Sequence, residues 1–433
     1  MQEVLFPIRK EKNMAGNGND IIQEIKKYTP EGYCLDNDIL VVDGKGAYFK
    51  DIEGKRYLDF TSGIFTNTFG HSFPPLIEAE IEQIKKIDNI HGRRSLAEYE
   101  FYKQLDSYMP SKDYKYIPYN DGGYAVDRGL SDIINYYNKE RIPIAAFRGG
   151  FHGKTMGTKL TINETAKAAL FENFQLEYPN CYRCPWEKEY PECKMCCIKS
   201  ICNKLKEKKT KAIIFEVIQG AGVIIPPKGF WEKIAENAVQ NKIIMFADEV
   251  LTGGGRTGYF LASYGHYNII PDIISITKGL ANGRPLSVLC EKENITNNPY
   301  AKRRGERSST FASHPTNMAV AAKTLECLKK YNILENVRAM GHILSEELKK
   351  IKEENIFIGD VRSIGLMGAI EFVKTPLNKE ANYNLCEKVF YRARKRGLET
   401  ILSGHILRIA PPLNIKEAEL KEGMKILSEV IKE

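Results

Sequence analysis

The chain has 433 residues, 43% of them hydrophobic, which is enough to bury a sizeable core and indicates two packed units. Its 63 basic and 55 acidic residues leave a net charge of +8, but they alternate along the helix patterns and form no basic stripe of the kind that binds nucleic acid. No apolar run reaches the roughly 18 residues that span a bilayer, and no signal-peptide pattern opens the chain. We therefore expect a cytoplasmic protein that binds neither nucleic acid nor membrane.

The N-terminal part of the chain contains an arm and short strand-like pieces. Residues 1–20 are polar and lack periodicity, which predicts a flexible arm. Strand-like pieces at 39–42 and 47–49 predict a small hairpin, and we assign residues 21–75 to a smaller domain. From 75 to 86 the apolar residues recur at helical spacing.

The middle of the chain, residues 76–317, alternates helix patterns with short runs that are apolar at every position. Such runs are typical of strands covered on both faces. Because helices such as 229–240 separate them, they predict a mostly parallel sheet in a large α/β domain. The runs lie at residues 144–147, 212–215, 243–246, 273–276 and 286–289.

The C-terminal part, residues 318–433, has mainly helical periods. Two strand-like pieces interrupt them, at 368–373 and 407–410. This mixture predicts the rest of the smaller domain, of α+β type, to which the N-terminal pieces also belong.

Polar residues follow three consecutive strand runs. Glu216 follows the first, Asp248 the second and Lys278 the third. Ligands of open parallel sheets bind beyond the carboxyl ends of the strands, so we expect these side chains to meet at one rim. Lys278 stands between a strand and a glycine-rich turn, and lysine is the side chain that forms Schiff bases with aldehyde cofactors. A structural ion pair with one of the acids is the alternative interpretation of this lysine.

Two segments carry a resemblance to a known family: residues 247–258 (ADEVLTGGGRTG) and residues 277–279 (TKG). Together they resemble the class III aminotransferases, which include ornithine, acetylornithine and GABA aminotransferases. The likeness extends from about residue 51 to the C-terminus. It implies pyridoxal 5′-phosphate (PLP) as cofactor, and an amino donor and an oxo acceptor as small-molecule substrates. It also implies PLP fold type I, with a mainly parallel seven-stranded sheet in the large domain and active sites shared in a homodimer.

The resemblance also assigns cofactor contacts to individual residues. It implies that Asp248 faces the pyridine nitrogen of PLP, while Lys278 holds the cofactor as a Schiff base and moves the proton. It places Phe151 on one face of the ring and Val250 on the other. It further implies that Thr310 reaches the phosphate bound in the neighbouring subunit.

The phosphate and the substrate are assigned to two other places. Gly122 and Gly123 precede a helix pattern, and the exposed N–H groups at a helix start attract anions, so we predict that they bind the phosphate. Arg408 resembles the family arginine that binds the substrate carboxylate, with Glu216 as its reversible partner. A purely structural ion pair between Arg408 and Glu216 is the alternative.

The chain departs from the family pattern near the phosphate turn. Asp121 stands where relatives have a serine, and a carboxylate beside a phosphate is unfavourable, so we expect Asp121 to cap the following helix. Leu251 stands where many relatives have glutamine, so no relative's substrate can be carried over. Two alternatives stay open: a racemase, epimerase or aminomutase on the same scaffold, and a cofactor-poor binding protein.

Six of the ten cysteines fall in an insert at residues 181–202. Cys181 and Cys184, and then Cys193 and Cys196, have the spacing of metal ligands, but the loop between the pairs is short for a two-pair zinc site. We therefore assign no metal and interpret the cluster as packed or redox-labile thiols, with a structural metal as the alternative. The other cysteines, predicted to fill the core in a reducing compartment, are Cys34, Cys290, Cys327 and Cys386.

Overall fold

The computed structural model describes residues 18–33, 39–138, 141–162, 172–298 and 302–433. Most of the predicted arm lies outside these residues, as does Cys34, and helix α1 already begins at Gly18, within the range predicted as the arm. The helices of the described residues are α1 (Gly18–Lys26), α2 (Ser62–Phe65), α3 (Pro74–Ile84), α4 (Leu96–Tyr108), α5 (Gly122–Tyr136), α6 (Met156–Ile162), α7 (Cys196–Glu207), α8 (Phe230–Asn241), α9 (Ala262–Tyr267), α10 (Glu293–Thr296), α11 (Pro315–Lys330), α12 (Ile333–Glu353), α13 (Tyr383–Lys395) and α14 (Glu417–Lys432). Across these described stretches, no helix combines the length and the apolar character that a membrane crossing requires.

The strands of these described stretches form three sheets. They are β1 (Val41–Lys45), β2 (Tyr48–Asp51), β3 (Arg56–Asp59), β4 (Tyr114–Tyr119), β5 (Pro143–Phe147), β6 (Glu172–Leu176), β7 (Ala212–Glu216), β8 (Ile244–Glu249), β9 (Ile273–Ile276), β10 (Ser287–Lys292), β11 (Ile358–Ile364), β12 (Met367–Phe372), β13 (Leu398–Glu399), β14 (Ile401–Ser403) and β15 (Ile406–Ile409). The largest sheet has seven strands in the order β4-β10-β9-β8-β7-β5-β6. Within it, β10 runs antiparallel to both neighbours, while β5 to β9 pair in parallel.

This large sheet confirms the predicted α/β class with a mainly parallel seven-stranded sheet. All five apolar runs of the sequence are strands of it, and the central strands β7 and β8 are buried at every position. The two strands that the sequence did not predict, β4 and β6, lie at the edges. Edge strands carry polar residues among the apolar ones, so they lack the continuous apolar run that marks a covered strand.

The two smaller sheets bring the ends of the chain together. One has the order β1-β2-β3-β13, so that Leu58 near the N-terminus pairs in parallel with Leu398 near the C-terminus. The other has the order β11-β12-β15-β14 and contains the strand of Arg408. Our division into a small domain of residues 21–75 and 318–433 and a large domain of residues 76–317 stays a prediction, and its boundary at 317/318 falls within α11.

An aromatic cluster under the sheet fixes the strand that leads to Glu216. Trp231 on α8 is fully buried, and its ring stacks on Phe215 of β7 with centroids 4.2 Å apart. Its indole Nε1 donates to the carbonyl oxygen of Val217 at 2.9 Å. The helix is therefore tied by both apolar and polar contacts to the residues on either side of Glu216.

We predict that Trp231→Ala lowers the free energy of unfolding by about 3–5 kcal/mol, because it leaves a cavity and removes one of the two side-chain hydrogen bonds to the buried carbonyl of Val217. The matched control is Val239→Ala on the same helix, where the side chain is 79% exposed and the change should be within about 0.5 kcal/mol. Urea unfolding followed by circular dichroism measures both. Equal unfolding midpoints for the two variants would contradict this account of the packing.

Candidate active site

Three neighbouring strands deliver Glu216, Asp248 and Lys278 to one cavity of about 600 Å³. Glu216 is the last residue of β7 and lies opposite Asp248 in the register with β8. Lys278 follows the end of β9 by two residues. Parallel strands end at the same rim, so a register set by apolar pairing gathers the two acids and the amine in one place.

Asp248 is fixed by a network of buried hydrogen bonds. Its Oδ2 lies 2.8 Å from Nδ1 of His152, and its Oδ1 accepts from the backbone N–H of Val250 at 3.0 Å and from Oγ of Ser275 at 3.2 Å. Burial alone lowers the pKa of His152, but the hydrogen bond and the negative charge of Asp248 outweigh it and raise the pKa. No sequence pattern pointed to this contact, because 96 residues separate the two.

The amine of Lys278 is tuned by its surroundings. Burial lowers the pKa of Lys278 to about 8, and the positive charge of Arg408 acts in the same direction, while Glu216 and Asp248 oppose the shift. A lysine with this pKa is partly neutral at physiological pH and can act as a nucleophile. Its backbone N–H donates to the carbonyl oxygen of Val250 at 3.1 Å, which ties the lysine turn to the end of β8.

The turn before α5 has the features of an anion site. Asp121 is the N-cap, and its side chain accepts from the backbone N–H of Tyr124 at 3.1 Å, which confirms the predicted capping role. Gly122 and Gly123 line the cavity at the first turn, where N–H groups have no partner within the helix. A Cβ at Gly122 would lie 3.1 Å from the side chain of Val250, so glycine keeps the backbone open to a ligand.

Several other residues line the same cavity. Phe151 and Val250 lie there, and their expected contacts with the two faces of the ring stay predictions. The backbone N–H of Phe151 donates to Oε1 of Glu216 at 2.9 Å. Sequence patterns did not single out the remaining lining residues, since a single threonine or an exposed lysine in a loop carries no distinctive signal. These residues include Thr66, Lys154, Thr155 and Thr277.

Arg408 and Glu216 are linked through Gly220. Oε2 of Glu216 accepts from the backbone N–H of Gly220 at 2.8 Å, and Nη1 of Arg408 donates to the carbonyl oxygen of Gly220 at 3.0 Å. The ion pairs of the described residues do not include a direct contact between the two side chains, which differs from the pairing that we expected. Burial raises the pKa of Glu216 to about 7, opposed by His152 and reinforced by Asp248. Because a carboxyl group with a pKa of about 7 carries less negative charge at neutral pH, Glu216 depends less on a cationic partner.

Thr310 lies away from this cavity. It is exposed in the segment that follows β10, and its carbonyl oxygen accepts from Nδ2 of Asn89 at 3.1 Å. It is not among the residues that line the cavity of its own chain. Its expected role, which involves a second subunit, therefore stays a prediction.

The cysteine-rich insert contains free thiols. In the stretches that the structure describes, no group of three or more His, Cys, Asp or Glu side chains is arranged to hold a metal ion. Cys181 and Cys196 are exposed, whereas Cys197 is buried. Cys290, Cys327 and Cys386 are buried, as predicted for residues that fill the core.

Comparison with known proteins identifies the family. The family model for class III aminotransferases matches residues 34–431. The chain is 30% identical to the probable 4-aminobutyrate aminotransferase of Bacillus subtilis, over 94% of this chain and 95% of that one. It is 31% identical to the leucine/methionine racemase of Thermococcus litoralis, over 91% and 90% of the two chains. The chain belongs to the class III aminotransferase family.

The fold comparison agrees with the sequence comparison. The crystal structure of an (S)-enantioselective omega-transaminase from Thermomicrobium roseum matches with a TM-score of 0.87 and 26% identity, over 96% of this chain and 98% of that one. Class III aminotransferases depend on PLP, so PLP is the cofactor of this enzyme. Membership in this family sets aside the alternative of a cofactor-poor binding protein.

The residues around the cavity fit this cofactor. PLP presents an aldehyde, a ring nitrogen and a phosphate, and the cavity presents an amine at Lys278, a buried carboxylate at Asp248 and a glycine-lined helix start at Gly122 and Gly123. Each is the chemical counterpart of one group of the cofactor. The replacement of a serine by Asp121 does not prevent the fit, because that carboxylate is engaged by the helix N-terminus.

The lysine turn depends on a close approach of two glycines. Gly254 has φ +89°, and a Cβ there would lie 2.8 Å from Cα of Gly279, next to Lys278. Gly54 has φ +83° and nothing within 4 Å of the position that a Cβ would occupy, so Gly54→Ala adds backbone strain alone, of about 1 kcal/mol. We expect Gly254→Ala to lower the free energy of unfolding by at least about 2 kcal/mol more. Equal losses in urea unfolding would contradict the close approach.

Proposed function

We propose that this enzyme transfers an amino group from an amino donor to an oxo acid or aldehyde acceptor in two half-reactions of a ping-pong cycle. The observation that carries the proposal is the convergence of the Lys278 amine and the Asp248 carboxylate on one cavity from adjacent strands. PLP, when bound, supplies the electron sink that stabilises negative charge on the substrate carbon. The side chains of this chain bind, orient and move protons.

Lys278 has two tasks in this proposal. Its Nζ would hold the cofactor through the aldehyde group, and as a free amine Nζ would take a proton from the substrate carbon and hold it for transfer. The pKa of Lys278, lowered to about 8 by burial, supports both tasks. A neutral amine is needed to attack an aldehyde and to accept a proton near neutral pH.

Asp248 and His152 hold the opposite end of the cofactor. We propose that Asp248 accepts a hydrogen bond from the protonated ring nitrogen, and that His152 positions the carboxylate through its hydrogen bond. The 2.8 Å contact between them supports this assignment. Both side chains are buried, where an unpaired carboxylate would be strongly unfavourable.

The remaining cofactor contacts come from four loops. We propose that the N–H groups of Gly122 and Gly123 bind the phosphate, and that Phe151 and Val250 enclose the two faces of the ring. The lining of the cavity by all four residues supports these roles. Thr310 is proposed to add a hydroxyl from a second copy of the chain.

The substrate carboxylate is proposed to bind at Arg408. When the other substrate has no carboxylate there, the Gly220 loop and Glu216 compensate the arginine, which allows two dissimilar substrates in one pocket. The hydrogen bonds of Gly220 to both side chains support this assignment. One relative is named for 4-aminobutyrate, a donor that carries a carboxylate, and donors of this class fit the proposal.

We also propose that the enzyme is a cytoplasmic homodimer. Three large apolar side chains near Thr310 are exposed: Leu96 at 84%, Tyr99 at 58% and Phe311 at 60%. Ser313 Oγ donates to Glu98 at 3.3 Å, which holds the Thr310 region against the helix of Leu96 and Tyr99. Exposed apolar surface of this kind marks an interaction site, and a second copy is the proposed occupant. The buried free thiols of the core fit a reducing cytoplasm.

A racemase is the second candidate function. The 31% identity to a leucine/methionine racemase favours it, because both reactions begin with removal of a proton from the substrate carbon and racemisation then returns a proton to that same carbon. The two functions differ in one requirement: transamination consumes an oxo acceptor, whereas racemisation proceeds without one. A panel of amino donors assayed with and without 2-oxo acids distinguishes them.

We predict that Lys278→Ala lowers turnover by at least about 10³-fold with every donor of that panel, because it removes both the covalent attachment and the base. Formation of product amine, followed by chromatography, measures the loss. Lys115→Ala is the control, since its side chain is exposed and lies in a surface ion pair. Activity of Lys278→Ala close to that of the control would refute the proposed mechanism.

The pH dependence of cofactor attachment provides a second test. The neutral fraction of Lys278 rises as the pH passes through the pKa of about 8, so the rate at which apoprotein incorporates PLP should rise with the same midpoint. An ordinary lysine would give a midpoint of about pH 10 or higher. Growth of the visible absorbance band between about pH 6.5 and about pH 10.5, a range that brackets both midpoints, measures the rate. A rate of PLP incorporation that rises only at the upper end of that range would contradict the lowered pKa of Lys278.

A further inference from the structure

A buried pair of carboxyl groups lies outside the cavity, between α5 and β10. Asp132 on α5 and Glu291 on β10 are both fully buried. We call them the acid pair. Nη2 of Arg307 lies 3.2 Å from Oδ2 of Asp132 and donates to Oε2 of Glu291 at 3.0 Å. Arg307 belongs to residues 302–313, which we call the Thr310 segment.

Burying the two carboxyl groups of the acid pair is energetically unfavourable. Burial raises the pKa of Asp132 and of Glu291, and the charge of Arg307 acts against that rise in both. Replacing a buried ion cluster by apolar side chains is often neutral or stabilising, so such a cluster is weak support for a role in stability. The acid pair does, however, bind the guanidinium of Arg307 at one defined position. The cluster therefore fixes where the Thr310 segment lies.

A second arginine ties the same segment to the same helix. Nη2 of Arg128 donates to the carbonyl oxygen of Glu306 at 3.1 Å and lies 3.6 Å from its carboxylate. Arg128 and Asp132 are four residues apart on α5, so they lie on one face of the helix. Helix α5 thus holds the consecutive residues Glu306 and Arg307, just before Thr310.

The start of the same helix is the proposed phosphate site. The phosphate turn offers the backbone of Gly122 and Gly123, while the side chain of Asp121 is an acceptor that already caps the helix. Threonine hydroxyls of the same chain also line the cavity, and a hydroxyl from a second copy would be a further donor to the phosphate. Thr310 is exposed and outside the cavity of its own chain, which leaves it available to a neighbour.

We propose that the acid pair and Arg307 position Thr310 to bind the cofactor phosphate in a second copy of this chain. Helix α5 then serves two sites, its N-terminus holding the phosphate of its own chain and its middle holding the segment that reaches the other. Arg307 is a positioning residue here, since it touches neither cofactor nor substrate. The inference rests on the proposed function, because it takes a dimer with shared sites as given.

The test compares two probes that differ only in the phosphate. Apoprotein of the wild type and of Arg307→Met, Arg307→Lys and Thr310→Val is titrated with PLP and with pyridoxal, which lacks the phosphate. We expect the Kd for PLP to rise about tenfold in Arg307→Met and Thr310→Val, the loss of one charge-assisted contact, and less in Arg307→Lys. The Kd for pyridoxal should stay within about twofold of the wild type, since the variants leave the ring and aldehyde contacts in place.

Two further variants isolate the route of the effect. If Arg307 acts through Thr310, the double variant Arg307→Met/Thr310→Val should bind PLP as weakly as Thr310→Val alone and no weaker. Arg304→Met is the matched control, because it removes the same charge from an exposed position of the same segment and should leave both Kd values unchanged. Should Arg307→Met fail to fold, Arg307→Lys and Asp132→Asn carry the comparison.

Two results would overturn the inference while leaving the proposed function intact. The first is wild-type affinity for PLP in Arg307→Met or in Thr310→Val. The second is an equal loss of affinity for PLP and pyridoxal in Arg307→Met, which is the signature of a purely structural role. A wild type that binds PLP no better than Lys278→Ala would instead overturn the proposed function, and with it this inference.

Discussion

The site depends on one buried contact, the 2.8 Å hydrogen bond between His152 Nδ1 and Asp248 Oδ2. A carboxylate at the end of a covered strand has lost its water and is tolerated only when it is paired. His152 is one hydrogen-bond partner of this carboxylate, and Ser275 and the backbone of Val250 supply the remaining hydrogen bonds. Because β8 pairs with both β7 and β9, the strand that carries this carboxylate also sets the register of the strands that lead to Glu216 and Lys278.

The cavity shifts the pKa values of two ionisable groups towards neutral pH, one upwards and one downwards. Burial raises the pKa of Glu216 to about 7 and lowers that of Lys278 to about 8. Their ordinary values lie about six units apart, so the folded chain narrows that gap to about one. Small changes in the charge of a bound substrate can therefore change which of the two carries a proton. Gly220 takes part in the same balance, because its backbone contacts both Glu216 and Arg408.

Periodicity and local chemistry were enough to predict the central features of the molecule, whereas features that depend on long-range contacts were missed. Short patterns encode the covered strands, the rim with Glu216, Asp248 and Lys278, and the Asp121 cap. Strands β4 and β6 were missed because edge strands lack an apolar run. The bridging of Arg408 through a backbone carbonyl could not be predicted, because every residue has such a carbonyl. The acid pair was missed too, since an Asp and a Glu at helix and strand positions look like ordinary surface residues.

The pairing of β3 with β13 has a consequence for biosynthesis. Leu58 pairs with Leu398, and 398 − 58 = 340 residues separate them, so the first small sheet cannot close until nearly the whole polypeptide has left the ribosome. Strand β3 then spends most of translation with one unpaired edge, while the central sheet can already assemble. Pairing over such a distance also slows spontaneous folding. We therefore expect the nascent chain to bind chaperones before β3 and β13 pair.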